Sequence, residues 1–218
     1  MMVEAEYPNM IFETFPVGPL QCNCCVIGDP ITKKAVVIDP GGDAQKILNT
    51  LKQHDLTLVD IVHTHAHLDH ILAAGELKQA TGAEIHLHQE DKMLWDMVEQ
   101  QCAMFGVPKV SLPEPDHYIN DDQALDCCGG VAIHTPGHTP GSVSFWFDEY
   151  KTLIAGDTLF QGSIGRTDLP GGDFDEIKKS ISERIYSLDD EAVVITGHGP
   201  STSIGLEKQT NNFVRGAN

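Results

Sequence analysis

Eight consecutive residues constrain this chain more than any others: His63-Thr64-His65-Ala66-His67-Leu68-Asp69-His70. They follow an apolar run, Leu58-Val59-Asp60-Ile61-Val62, that reads as a buried strand. Residues two apart in an extended segment project to the same side, so His65 and His67 are placed to hold one cation together. Asp69 and His70 fall where a helix starts, turned toward a second cation. Imidazole nitrogen and carboxylate oxygen are the usual ligands of zinc and similar divalent ions. A histidine-rich tag would not alternate with Ala and Leu behind a buried strand. Whatever the chain folds into must therefore end a strand and begin a helix at this point.

The rest of the chain supplies short strands and amphipathic helices. Strands are expected over 24–27, 35–39, 58–62, 84–88, 131–135, 142–147, 152–155 and 192–196. A helix N-capped by Asp43 is expected to bury Ala44, Ile47, Leu48 and Leu51 on one face. Further helices are expected from Asp69 to about Ala80, along Leu94, Met97, Val98 and Phe105, along Phe174, Ile177, Ile181, Ile185 and Leu188, and from about Ser203. Pro108, Pro113 and Pro115 mark a loop. Both halves carry strands accompanied by helices. Two packed β-sheets with outer helices satisfy that layering, and on pattern alone a doubly wound α/β domain satisfies it as well. The 218 residues are expected to form a single domain over 1–218.

Composition removes several function classes. Hydrophobic residues at 41% and charged residues at 21% are those of a globular protein. A net charge of −18 repels phosphate backbones, so a nucleic-acid partner is not expected. No apolar run approaches the roughly 20 residues of a membrane span, and residues 1–8 lack the basic start and apolar segment of a secretory signal. A cytoplasmic protein is therefore expected, with its six cysteines as reduced thiols. Cys22, Cys24 and Cys25 have no partner motif at zinc-ribbon spacing and read as core thiols. Adjacent Cys127 and Cys128 read as strand packing.

Three more positions suit metal binding. His138 lies in Thr135-Pro-Gly-His-Thr-Pro-Gly-Ser142, Asp157 in Leu153-Ile-Ala-Gly-Asp-Thr158, and His198 in Ile195-Thr-Gly-His-Gly-Pro200. Each follows a short apolar strand and sits beside glycine, where the backbone turns tightly. Ligands at strand ends converge on one rim of a folded sheet.

In order and spacing, these segments resemble the five metal motifs of the metallo-β-lactamase superfamily, and Thr64 to His70 matches its T-H-x-H-x-D-H pattern. Thr158-Leu-Phe160 and Gly165-Arg-Thr-Asp-Leu-Pro-Gly-Gly-Asp173 resemble the glyoxalase II-like branch, in particular its short single-domain bacterial members. The resemblance implies an α/β fold, an αββα sandwich with two mixed β-sheets and helices on the outer faces. It implies two divalent metal ions, zinc first with iron or manganese as alternatives. His65, His67 and His138 would hold one, Asp69, His70 and His198 the other, and Asp157 would bridge. Arg166 falls where the branch places a cationic substrate-binding residue; a surface salt bridge is its bland reading.

The activity implied is hydrolysis of a thioester by a metal-bridging hydroxide that Asp69 orients, with a glutathione conjugate such as S-D-lactoylglutathione as the small-molecule substrate. Two alternatives share the motifs. One is a mononuclear iron persulfide dioxygenase using His65, His138 and Asp157; the other is a non-catalytic metal-binding protein. His63 is expected to support the ligands from behind. His54, His86, His88, His117 and His134 have no motif support and read as surface or core residues.

Overall fold

The structure, a computed structural model, describes residues 9–216. Residues 1–8, on which the reading of the N-terminus rests, lie outside it. Backbone contacts divide the described chain into two compact units, residues 9–119 with 126–128, and residues 120–125 with 129–216.

The first unit is built on a six-stranded sheet. Its strands are β1 (Ile11–Val17), β2 (Cys22–Gly28), β3 (Lys34–Ile38), β4 (Thr57–Val62), β5 (Glu84–His88) and β6 (His117–Ile119), in spatial order β1-β2-β3-β4-β5-β6. Hairpins make β1 to β3 antiparallel, and crossovers make β3 to β6 parallel. The first crossover is α1 (Ala44–Gln53), which buries Ala44, Ile47 and Leu51 at helical spacing. The second holds α2 (Leu68–Ile71) and α3 (Ala74–Thr81), and the third holds α4 (Lys92–Asp96) and α5 (Val98–Phe105). Val26, Val37, Ile61, Ile85 and Leu87 meet Ile47, Leu77, Leu94 and Val98 in one core.

The second unit carries a five-stranded sheet of β7 (Val131–His134), β8 (Val143–Phe147), β9 (Thr152–Gly156), β12 (Val193–Thr196) and β13 (Thr202–Ser203), in order β13-β12-β9-β8-β7. A small hairpin of β10 (Leu159–Phe160) and β11 (Ser163–Ile164) precedes α6 (Phe174–Lys179), which continues through a π turn over Ser180–Arg184. Ile177, Ile181 and Ile185 pack on Leu153, Ala155 and Val194, together with Ile204 of α7 (Ile204–Thr210). Only β9 and β12 pair in parallel. Two mixed sheets with helices are what the sequence led us to expect.

Several local expectations are corrected. The helix expected from Asp69 to Ala80 breaks between α2 and α3. Ala73 N–H donates to the Pro40 carbonyl at 2.9 Å instead of to the carbonyl one turn back. The carbonyl it would have used, that of Asp69, is pressed against Gly41, where a Cβ would lie 1.5 Å from the oxygen. Asp43 holds the N-cap position of α1 but makes no side-chain cap; its carboxylate accepts from Gly18 N–H at 2.9 Å. Met97, Phe105 and Phe174, expected on apolar faces, are exposed, because Val98, Cys102 and Ile177 turn inward in their place. Cys127 and Cys128 lie in a turn and not in a strand, Cys128 at φ 68°, with their sulfur atoms side by side. Cys22, Cys24, Cys25 and Cys102 are buried thiols as expected. Burial pushes the Cys25 thiol up to about 12.

The Gly41 contact yields a test. Gly41→Ala is expected to lower the unfolding free energy by about 3 kcal/mol, the upper range for overpacking, because backbone and not a flexible side chain blocks the new methyl. Urea unfolding monitored by circular dichroism measures this.

Candidate functional site

Chain direction places the candidate residues. In the first unit β3 and β4 run parallel with Ile38 opposite Val62, and Asp39 N–H donates to the Val62 carbonyl at 3.0 Å. Asp39 and the histidine run therefore leave the sheet side by side, at the carboxyl ends of adjacent strands, where open α/β sheets gather their ligands. In the second unit β9 and β12 repeat the arrangement. Asp157 follows β9, His198 lies two residues beyond β12, and Gly197 N–H donates to the Gly156 carbonyl at 2.8 Å.

In the first unit the structure brings His65, His67, Asp69 and His70 together. The ring centroids of His65 lie 4.9 Å from His67 and 4.0 Å from His70. Asp39, with 2% of its surface exposed, organises them from below. Its carboxylate accepts from Thr64 N–H at 2.7 Å, from the Thr64 hydroxyl at 2.6 Å, and from His70 Nδ1–H at 2.9 Å. Because the Thr64 hydroxyl gives its single proton to Asp39, it accepts from His65 Nδ1–H at 3.0 Å. Both imidazoles are thereby set in the tautomer whose Nε2 carries a lone pair. His63 sits behind them as expected. Its Nδ1–H donates to the His70 carbonyl at 3.1 Å, and its ring meets Trp95 edge-on. Burial pushes His63 down to about 4, so the ring is neutral at neutral pH.

The second unit brings His138, Asp157 and His198 together. His138 Nδ1–H donates to the Arg166 carbonyl at 2.8 Å, so again Nε2 carries the lone pair. From Asp157, Oδ2 lies 3.6 Å from His138 Nε2 and Oδ1 lies 3.8 Å from His198 Nε2. In the first unit Asp69 Oδ2 lies 3.7 Å from His70 Nε2. These separations exceed a hydrogen bond. Two atoms bound tetrahedrally to one zinc ion at roughly 2.0 Å stand roughly 3.3 Å apart, so the donors are spaced as ligands sharing a cation. Lone-pair nitrogens, carboxylates and that spacing fit divalent metal.

A glycine presses on each aspartate. Besides Gly41 on the Asp69 carbonyl, a Cβ at Gly165 would lie 1.8 Å from the Asp157 carbonyl oxygen. The Arg166 guanidinium is held by Asp168 in two hydrogen bonds of 2.8 and 2.9 Å, and 57% of the side chain is exposed. The remaining histidines stand apart from these clusters. His54 pairs with Glu13, His86 with Asp60 and His117 with Glu84. His134 donates to the Pro140 carbonyl, and His88 accepts from Glu90 N–H. Among the described residues no helix is long and apolar enough to cross a membrane.

Sequence reasoning missed Asp39 as a functional residue. The signal was present, since Asp39 ends an apolar strand ahead of Pro40-Gly41-Gly42 just as Asp157 ends one after Gly156.

Residues 17–198 match the family profile described as "Metallo-beta-lactamase superfamily". The chain is 41% identical over 209 residues to a protein of Haemophilus influenzae named hydroxyacylglutathione hydrolase GloC, covering 94% of this chain and 98% of that one. Among solved structures it is similar to BLEG-1, described as a B3 metallo-beta-lactamase, with 37% identity and a TM-score of 0.86 over 94% of this chain and 99% of the other. It is also similar to TTHA1623 in a di-iron-bound form, with 35% identity and a TM-score of 0.86 over 93% of this chain and 100% of the other.

Asp39→Asn tests the hydrogen-bond arrangement. An amide puts an N–H donor in place of one acceptor oxygen, so at least one of the donations from Thr64 N–H, the Thr64 hydroxyl and His70 loses its acceptor. Metal affinity is expected to fall about 10–100-fold, the usual effect of losing a group that orients a ligand. Competition with a chromophoric chelator measures it; an unchanged affinity would show that Asp39 does not set the His70 ring.

Proposed function

The chain belongs to the metallo-beta-lactamase superfamily, and we propose that it hydrolyses a thioester, a hydroxyacylglutathione such as S-D-lactoylglutathione, at a dinuclear metal centre. Metal-dependent hydrolysis of a small molecule accompanies the family itself. The observation that carries the finer reading is the pair of donor sets at the ends of β3–β4 and β9–β12, each offering imidazole Nε2 beside a carboxylate. The thioester choice is supported by the relative named as a hydroxyacylglutathione hydrolase, which matches almost end to end.

In this reading His65, His67 and His138 would hold one ion and Asp69, His70 and His198 the other, with Asp157 available to both. Zinc is the first choice, and iron is supported by the similar structure found in a di-iron-bound form. Such ions would supply a bound water of pKa roughly 7 and a Lewis acid for the substrate carbonyl.

The chain's own residues do the rest. Asp39 and the Arg166 carbonyl accept from Nδ1–H of His70 and His138, so those rings present Nε2. Asp69 presents one carboxylate oxygen toward the attacking water and orients its lone pair at the carbonyl carbon. The Arg166 guanidinium receives a carboxylate of the thiol portion by exchanging its pairing with Asp168. The water gives one proton to solvent as it attacks; the tetrahedral centre then collapses with cleavage of the carbon–sulfur bond, and the second proton passes to the departing sulfur, leaving a carboxylate and a thiol.

A panel on metal-quantified protein tests this. Glutathione thioesters are expected to turn over, with coenzyme A thioesters, a lactone and a cephalosporin much slower. Asp69→Asn is expected to lower kcat by at least about 100-fold while changing KM little, the pattern of an interaction made in the transition state. Oxygen uptake on glutathione persulfide with one iron per chain would overturn the hydrolase. Cephalosporin turnover exceeding every thioester would overturn the substrate class.

A further inference from the structure

Two polar side chains of the segment between β5 and β6 end on the backbone of the histidine run. Asp91, fully buried, accepts Ala66 N–H at 2.8 Å. The Gln101 carboxamide lies alongside the next peptides. Its Oε1 accepts Leu68 N–H at 2.9 Å, and its Nε2 donates to the Ala66 carbonyl at 3.1 Å and to the Leu94 carbonyl at 2.8 Å. Gln101 thus grips the chain on both sides of His67, and Asp91 grips it behind His65.

The run has left β4 by this point, which ends at Val62, so strand partners no longer hold it. Buried peptide groups still need partners, and leaving one without costs about 1–3 kcal/mol. Side chains from α5 and the turn before α4 take the place of the missing strand. Gln101 is polar on a helix whose neighbouring positions Val98 and Cys102 are buried, and both protons of its amide go to carbonyl oxygens.

We propose that Gln101, together with Asp91, is a positioning residue for the imidazole pair His65 and His67. The carboxamide holds the intervening backbone extended, as His67 at φ −72° and ψ 147° shows, so that both rings issue to one side with centroids 4.9 Å apart. A rotation about the Ala66 or Leu68 backbone would swing the His67 ring off the axis it shares with His65. The inference rests on the reading of that pair as metal ligands.

The test uses the full chain loaded with cobalt(II), reading the d–d absorption and the dissociation constant by chelator competition. Gln101→Leu is expected to weaken cobalt binding about tenfold or more, as for other groups that orient a ligand, and to shift the d–d bands. Gln101→Glu, which keeps the acceptor for Leu68 N–H and loses both donations, is expected to do the same to a smaller degree. Cys102→Ala, a cavity in the same helix, is expected to lower folding stability while leaving spectrum and affinity unchanged. A wild-type spectrum and affinity in Gln101→Leu would overturn the proposal, as would equal changes in Cys102→Ala. Should Gln101→Leu not fold, Gln101→Glu decides by the same criteria. Wild-type protein that binds no cobalt would sink the ligand reading itself, a separate result.

Discussion

The carboxylate of Asp39 is the interaction on which the first donor set depends. A buried charge is tolerable only when its lone pairs are engaged. Asp39 meets that condition by accepting from Thr64 twice and from His70 once. Hydrogen bonds to a charged group contribute about 1.5–3 kcal/mol each, so the arrangement both satisfies the acid and fixes the loop after β4. Its chemical consequence travels through one hydroxyl proton. Thr64 donates to Asp39, hence accepts from His65, hence His65 presents Nε2. A single acid thereby orients two rings that point away from it.

The two units solve the same problem with the same means. Each sends candidate ligands out at the carboxyl ends of a parallel pair of strands, β3 with β4 in one and β9 with β12 in the other. Each presses a glycine against the backbone carbonyl of an aspartate, Gly41 on Asp69 and Gly165 on Asp157. Any side chain at either glycine would push the peptide that carries the carboxylate. The imidazoles differ in what steadies them, a carboxylate and a hydroxyl in one unit and a main-chain carbonyl in the other, yet the tautomer is the same.

The strong acidity of the chain also acquires a local meaning. Each unit sets a carboxylate beside imidazole nitrogen, Asp69 beside His70 in one and Asp157 beside His138 and His198 in the other. Divalent cations, which the family binds, would meet carboxylate oxygen and imidazole nitrogen there.

The alternation of His65 and His67 behind an apolar strand was enough to place two imidazoles side by side, since side-chain direction in extended backbone depends only on residue parity. Strand positions and amphipathic helices such as α1 were legible for the same reason: their period is local. The break between α2 and α3 was not, because Ala73 finds its acceptor on Pro40, more than 30 residues away, and no helical propensity encodes that contact. Nor did local pattern reveal that Asp39 serves His70, that the Arg166 carbonyl serves His138, or that Gln101 lies along the histidine run. Those pairings join residues distant in sequence, and only packing of the sheets and crossovers brings them within hydrogen-bond reach. The sequence by itself determined which atoms are able to bind metal; the tertiary structure decided which way each ring nitrogen points, because tautomer and rotamer are set by partners that folding delivers.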